Sequence, residues 1–346
     1  RTPMAGSILR SDIAGEDLLS YLEAIMRVYN QHGRRDNKWK ARIKILVKAL
    51  GAEKFAKLVD EEWQYIKAGP IKVPAAEIAR LESHFTAPPY ETLPATDTAV
   101  EKLAAETPSF RFWQRNNVFA HRVPGYAMVM LSTKATGVPP GDISAEQFDA
   151  IADLADRYSF GEARTSHCQN MVLSDVKITD LPSLWQALKT QGLATPNIGK
   201  LTDIICCPGG DFCSLANAKS IPIAEQIQRR FEDLDDLYDI GDIDLNISGC
   251  MNACGHHHLG HIGILGVDKK GEEFYQVVLG GQMGHQGVLG EVLGPSFGAA
   301  DVADIVERLI EVYRDNRLDA DERFIETYNR IGIARFRERI YAKAHS

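Results

Sequence analysis

Two strings carry most of the chemistry in this chain: CCPGGDFCSLANAK from Cys206 and SGCMNACGHHH from Ser248. Six cysteines are too few for a disulfide scaffold, yet five of them fall between positions 206 and 254. Cys207-x5-Cys213 and Cys250-x3-Cys254 present four thiolates as two pairs, each in or beside a glycine-containing loop. Such loops can wrap a polynuclear centre. Iron-sulfur clusters take four Cys thiolates, and backbone N–H groups in glycine-rich loops or at helix N-termini offset the cluster's negative charge. The spacing fits a [4Fe-4S] cluster. Structural zinc prefers Cys-x2–4-Cys pairs, so the x5 interval counts against it, although His256, His257, His258 and His261 keep a Cys/His zinc site open. Lone Cys168 reads as an unmodified packing thiol.

Other polar groups are less specific. GRRDNKWKARIKILV (33–47) places Arg34, Arg35, Lys38, Lys40, Arg42 and Lys44 close together, which by itself is a solvated helix face or a nucleic-acid patch. Arg is nonetheless suited to forked contact with carboxylates. Arg164, His167, Gln169 and Asn170 lie on or just before an expected strand, where alternation puts Gln169 and Asn170 on opposite faces. The consecutive His256, His257 and His258 point in different directions and cannot easily share one ion, so packing near the cysteines is their expected role. Gly284, Gly287, Gly290 and Gly294 lack the strand and the Lys of nucleotide-binding loops and are expected to be turn glycines.

The elements that must position these groups belong to an ordinary globular chain, with 45% hydrophobic and 25% charged residues. Its 346 residues predict two or three domains. A net charge of −8 argues against a field that gathers nucleic acid or anionic membrane, and no apolar run approaches a membrane span. A cytoplasmic location is expected. Helical periodicity covers 14–68, and the four prolines of 86–108 suggest a linker. Strands at 126–132 and 169–176 alternate with helices opened by the Ser144/Gln147 capping box and by Pro182. The cysteine region adds a helix over 214–234, a strand at 242–247, a hairpin of 261–267 with 273–280, and an amphipathic helix through Val302, Ile305, Val306, Leu309 and Tyr313. The expected fold class is therefore α/β (α+β).

At the cysteine motifs the chain resembles the siroheme-containing sulfite and nitrite reductases, whose cluster motif is Cys-x5-Cys followed by Cys-x3-Cys. The likeness extends to Asn252, to Gly255 and to Gln169-Asn170, and the wording GGDFCSLANAKS and SGCMNACGHHHLGHIGILG is similar to the bacterial sulfite-reductase hemoprotein branch. It implies a ferredoxin-like half-domain at 109–192 and a [4Fe-4S]/siroheme-binding domain at 195–346. Residues 1–85 would then be the tail of a first cofactor-binding repeat, making the chain a C-terminal portion.

The resemblance further implies that Cys207, Cys213, Cys250 and Cys254 ligate the cluster, with Cys254 also the axial siroheme ligand and Cys206 a spare thiol. Asn252, Gln169, Asn170, Arg34, Arg35 and Arg42 would contact siroheme, and Arg1 would face the substrate. The implied reaction is six-electron reduction of sulfite to sulfide. Nitrite reduction to ammonia is the nearest alternative, and a non-catalytic zinc- or cluster-stabilised binding module is the alternative from another class. Six electrons require storage beside the substrate, which two coupled redox centres provide. Lacking a nucleotide motif, the chain would draw electrons from a ferredoxin or an NADPH-dependent flavoprotein.

Overall fold

The computed structural model describes residues 3–284 and 287–342 and divides into two compact units at Pro89/Tyr90. Arg1 lies outside the described residues. In the first unit α1 (Leu18–His32), α2 (Ile43–Leu50) and α3 (Ala52–Ile66) bury one apolar stripe each around Ala24, Val28, Phe55, Val59 and Trp63. Trp63 donates its indole N–H to buried Ser20 Oγ at 2.9 Å, which satisfies the single polar atom of that ring. The helical period expected over 14–68 is interrupted at 33–42, the stretch that carries Arg34 and Arg35. A fourth helix, α4 (Ala75–Glu82), buries no side chain.

The second unit begins where a linker was expected. Within 86–108 the structure instead places α5 (Thr98–Glu106), capped by Asp97, whose carboxylate accepts from the Ala99 and Val100 N–H groups. Val100 is buried in the core of the antiparallel sheet and its helices. The prolines misled because Pro94 and Pro108 flank this helix rather than interrupt it. Pro108 starts α6 (Pro108–Asn117), in the first turn where its missing N–H costs no helical bond.

That sheet has four strands in the order β1-β2-β4-β3: β1 (Val118–Ala120), β2 (Tyr126–Leu131), β3 (Ala163–Thr165) and β4 (Met171–Lys177). Helices α7 (Ala145–Tyr158), with the capping box of Ser144 and Gln147, and α8 (Leu181–Thr190) close its core around Trp113, Leu131, Leu173 and Trp185. The second strand of the expected pair starts two residues late. Gln169 has a φ of 59° and ends a turn in which Ser166 and Asn170 exchange hydrogen bonds, so the two amide side chains do not alternate across a sheet.

The second sheet runs β10-β8-β7-β6-β5 and holds the cysteines: β5 (Ile205–Cys206), β6 (Leu245–Ser248), β7 (Ile262–Lys269), β8 (Glu272–Leu279) and β10 (Phe297–Gly298), with β9 (Glu291–Val292) also on β8. Strands β5, β6 and β7 are mutually parallel, whereas β7 and β8 form the expected hairpin. Helices α9 (Ile221–Arg230), α10 (Leu234–Ile240), α11 (Val302–Asn316), α12 (Phe324–Ile331) and α13 (Ile333–Tyr341) complete this part. The α11 stripe of Val302, Ile305, Val306, Leu309 and Tyr313 is buried as expected. The helix expected over 214–234 is confined to α9, because Pro222 fits only a first turn and because the Asn217 and Ala218 N–H groups are taken by Gly249. No helix among the described residues is long and apolar enough to cross a membrane.

A buried ion pair ties the two sheets of this unit together. Lys134, just after β2, is fully buried and donates to Asp203 Oδ1 at 2.7 Å, to the Asp203 carbonyl at 3.3 Å and to the Cys168 carbonyl. Asp203 also accepts from the Gly199 N–H at 2.9 Å and from Asn170 Nδ2 at 3.0 Å. Removing one partner strands the other charge away from water, so Asp203→Ala should lower unfolding stability by about 3–5 kcal/mol in urea titration. Replacing both charges with apolar residues should cost less.

Candidate redox-cofactor site

Cys206 closes β5 opposite Ile247, so Cys207 leaves the sheet beside the end of β6, and Cys250 lies two residues beyond Ser248. Both cysteine pairs therefore start from the carboxyl ends of adjacent parallel strands, the end at which open α/β sheets generally form their sites. The Cys207 N–H still bonds back to the Ile247 carbonyl at 3.1 Å, which fixes its direction.

Gly249 joins the two loops. Its N–H donates to Cys207 Sγ at 3.0 Å, and its carbonyl accepts from the N–H groups of Asn217 at 2.8 Å and Ala218 at 3.1 Å. A side chain is excluded there, since a Cβ on Gly249 would lie 2.6 Å from the Ala218 carbonyl oxygen and 2.8 Å from Gly209 Cα. Gly255, directly after Cys254, is tighter still, with a Cβ only 1.9 Å from the Ile247 carbonyl oxygen. Its N–H donates to Ser248 Oγ, which folds the Cys250–Cys254 loop back onto β6.

The four expected ligands differ in exposure. Cys207 and Cys250 are buried, Cys213 is half-buried and Cys254 is exposed, and all are free thiols. Cys207 Sγ has the Gly249 N–H and, at 3.5 Å, the hydroxyl of Ser220, the residue that precedes α9. Cys206 is different. Its Sγ lies in the core and contacts the Cys207 carbonyl, and burial pushes its thiol well above the usual range, away from the thiolate that a metal requires.

Around the cysteines the loops expose Phe212 (79%), Leu215 (70%) and Met251 (52%) to solvent. Large exposed apolar groups commonly mark a contact surface. Asn252 is exposed between Cys250 and Cys254, and the next residue, Ala253, has a left-handed φ of 58°. His257 is fully buried, with neither ring nitrogen partnered among the described residues, and burial lowers its pKa to about 3. It is a neutral packing imidazole. Among the described residues no three His, Cys, Asp or Glu side chains are gathered to hold one metal ion. A [4Fe-4S] cluster differs in placing its four thiolates on separate irons.

Gln169 and Asn170, expected to contact siroheme, use their side-chain amides on protein partners. Gln169 Nε2 donates to the Cys206 carbonyl and its Oε1 accepts from the Cys206 N–H, both at 2.8 Å. Asn170 Nδ2 donates to Asp203, and its Oδ1 accepts from the Thr133 N–H at 3.2 Å. Both amides are consumed within the protein. Arg164 is exposed on β3 and paired with Glu162. Arg34, Arg35 and Arg42 belong to the other unit: Arg34 is paired with Asp36, Arg35 donates to Asn30 Oδ1 at 3.0 Å, and Arg42 immediately precedes α2. Lys134 and Asp203 form a buried structural pair that sequence reasoning missed, because a Lys and an Asp so far apart in the chain carry no local signal.

The family model for the nitrite and sulphite reductase 4Fe-4S domain matches residues 1–67 and 199–345, more than half of the chain. The chain belongs to the nitrite and sulphite reductase family. A second model, the nitrite/sulfite reductase ferredoxin-like half domain, matches 131–191, the region of the antiparallel sheet. The family's cofactors are siroheme and a [4Fe-4S] cluster, and its members are oxidoreductases.

Sulfite reductase [ferredoxin] 1 of Mycolicibacterium paratuberculosis is 25% identical over 331 residues, covering 92% of this chain and 52% of that protein. The chloroplastic ferredoxin–nitrite reductase of Arabidopsis thaliana is 24% identical, covering 86% of this chain and 46% of that protein. Among solved structures, the Mycobacterium tuberculosis NirA protein superposes with a TM-score of 0.64 at 24% identity, over 92% of this chain and 53% of that one, and it supports the fold. The chain spans about half the length of the curated relatives it matches.

Cys206→Ser should retain cluster iron and acid-labile sulfide, whereas Cys207→Ser should lose most of both. Gly249→Ala should behave like the second variant, because its Cβ must push the two loops apart.

Proposed function

We propose that this chain forms the cofactor-bearing part of a sulfite reductase, with Cys207, Cys213, Cys250 and Cys254 on a [4Fe-4S] cluster and Cys254 shared with the siroheme iron. The observation that carries this reading is the double anchorage of Gly249, which brings the loops of both cysteine pairs together while Cys254 stays exposed. The exposure of Cys254 suits a thiolate that must also reach a second cofactor.

When bound, the two cofactors would supply stored electrons and a thiolate-ligated iron for the oxyanion. The chain's own residues hold and tune. The Gly249 N–H and the Ser220 hydroxyl hold the Cys207 sulfur in place, and Gly255 lets the Cys254 loop sit directly on β6. By resemblance alone, Arg34, Arg35, Arg42 and Asn252 are assigned to siroheme and Arg1 to the substrate. Phe212, Leu215 and Met251 give the macrocycle apolar cover. The domain assignments accord with the same reading, with 109–192 as the ferredoxin-like half-domain and 195–346 as the cluster and siroheme domain. Electrons arrive from ferredoxin, the donor for which the relatives are named, and the reaction belongs to the cytoplasm.

Sulfite and nitrite both need six electrons, and relatives named for each substrate match at similar identity. With reduced ferredoxin, the cofactor-loaded protein should form sulfide from sulfite faster than ammonia from nitrite. The reverse order would make it a nitrite reductase, and absence of a siroheme absorption band would remove the catalytic reading altogether. Cys254→Ser should lower turnover by more than about 100-fold and remove the thiolate signature from the siroheme absorption spectrum.

A further inference from the structure

We propose that Gln169 is a positioning residue for the cluster: its side-chain amide takes the place of a missing neighbouring strand on the outer edge of β5, and thereby aims Cys207 into the site. The proposal rests on the reductase reading for its consequence but not for its geometry. Strand β5 is only two residues long and lies at the edge of its sheet. In a parallel ladder the N–H and C=O of one residue point to the same side, and successive residues alternate. Cys207 bonds inward to Ile247, so Cys206 turns both of its backbone groups outward. An unpaired edge there would leave a buried donor and acceptor unsatisfied. Gln169 fills both positions at 2.8 Å, as a neighbouring strand would.

Gln169 is itself held firmly. Its left-handed φ of 59° is uncommon for a residue with a side chain, and such conformations persist where the surroundings over-determine them. Its N–H donates to the Ser166 carbonyl at 3.2 Å and its carbonyl accepts from Thr133 Oγ1 at 2.5 Å. The space beside its side chain is closed by Gly141, where a Cβ would come within 3.2 Å of the Gln169 Cβ. The next residue, Asn170, is fixed by Asp203 and Thr133, and Asp203 is fixed by the buried Lys134. A rigid post thus runs from the antiparallel sheet to the backbone one residue before a ligand, and it ends on main-chain groups rather than on a side chain. A contact of this kind constrains the direction of Cys207 whatever residue occupies position 206.

Amide hydrogen exchange on the metal-free protein tests the geometry. Gln169→Leu should speed exchange of the Cys206 amide roughly tenfold, the loss of one ordinary hydrogen bond, while the β4 amides keep their protection. Gln169→Glu keeps the acceptor for the Cys206 N–H but cannot donate to its carbonyl, and should leave that amide closer to the native rate. Unchanged exchange at Cys206 in the Leu variant overturns the proposal. So does faster exchange across both sheets in both variants, which would make Gln169 a general stabilising residue. On the reconstituted protein, the Leu variant should hold less iron and sulfide and give an altered electron paramagnetic resonance spectrum of the reduced cluster; a native spectrum at native iron content also overturns it. If the native protein takes up no cluster at all, the reductase reading fails, and the exchange result still decides the edge contact.

Discussion

Everything at the candidate site depends on two short parallel strands ending side by side and on one glycine joining the loops that leave them. Gly249 uses its N–H on Cys207 Sγ and its carbonyl on Asn217 and Ala218, so a residue with no side chain connects the Cys207–Cys213 loop to the Cys250–Cys254 loop. The backbone approach is closer than any Cβ permits. Hydrogen bonds of this sort contribute modestly to stability taken singly, about 1 kcal/mol each, but here they determine geometry. A polynuclear centre needs its thiolates from different segments at fixed separations, and two loops hinged independently could not supply them.

Behind the loops, buried polar groups give the site its rigidity. Lys134, Asp203, Asn170 and Gln169 form one connected set in which each charged or amide group has a partner, running from the antiparallel sheet to the edge of the cysteine-bearing sheet. Buried polar sets of this kind constrain a structure only when fully satisfied, because a half-satisfied one is costly in low dielectric. The cysteine-bearing sheet rests on the apolar stripe of α11, and the antiparallel sheet on a separate core around Trp113 and Trp185. Two independent cores joined by a polar clamp give each side of the site its own foundation.

Charge obeys the same division of labour. The chain is acidic overall, yet at Cys207 the Gly249 N–H donates to the sulfur and the Ser220 hydroxyl lies 3.5 Å from it. Its neighbour Cys206 is held in the apolar core, where the neutral thiol is favoured. Adjacent cysteines are thereby separated into a candidate ligand and a packing residue by the alternation of a strand, without any difference in side-chain chemistry.

The sequence alone determined the chemistry available and most of the regular elements. The spacing within each cysteine pair, the Ser144/Gln147 capping box, the β7–β8 hairpin and the α11 stripe are local patterns, each written within a short continuous segment and each fixed by backbone geometry or amphipathic burial. What only the tertiary structure decided involves partners distant in the chain. Gln169 meets Cys206, Lys134 meets Asp203 and Gly249 meets Asn217, and no periodicity encodes such meetings. The 98–106 helix was hidden by flanking prolines, and the strand expected at Gln169 gave way to a left-handed turn because a tertiary contact outweighed alternation. Residue type and spacing specify which atoms could do the chemistry. The direction in which each one points is set by packing between segments that the linear order keeps apart.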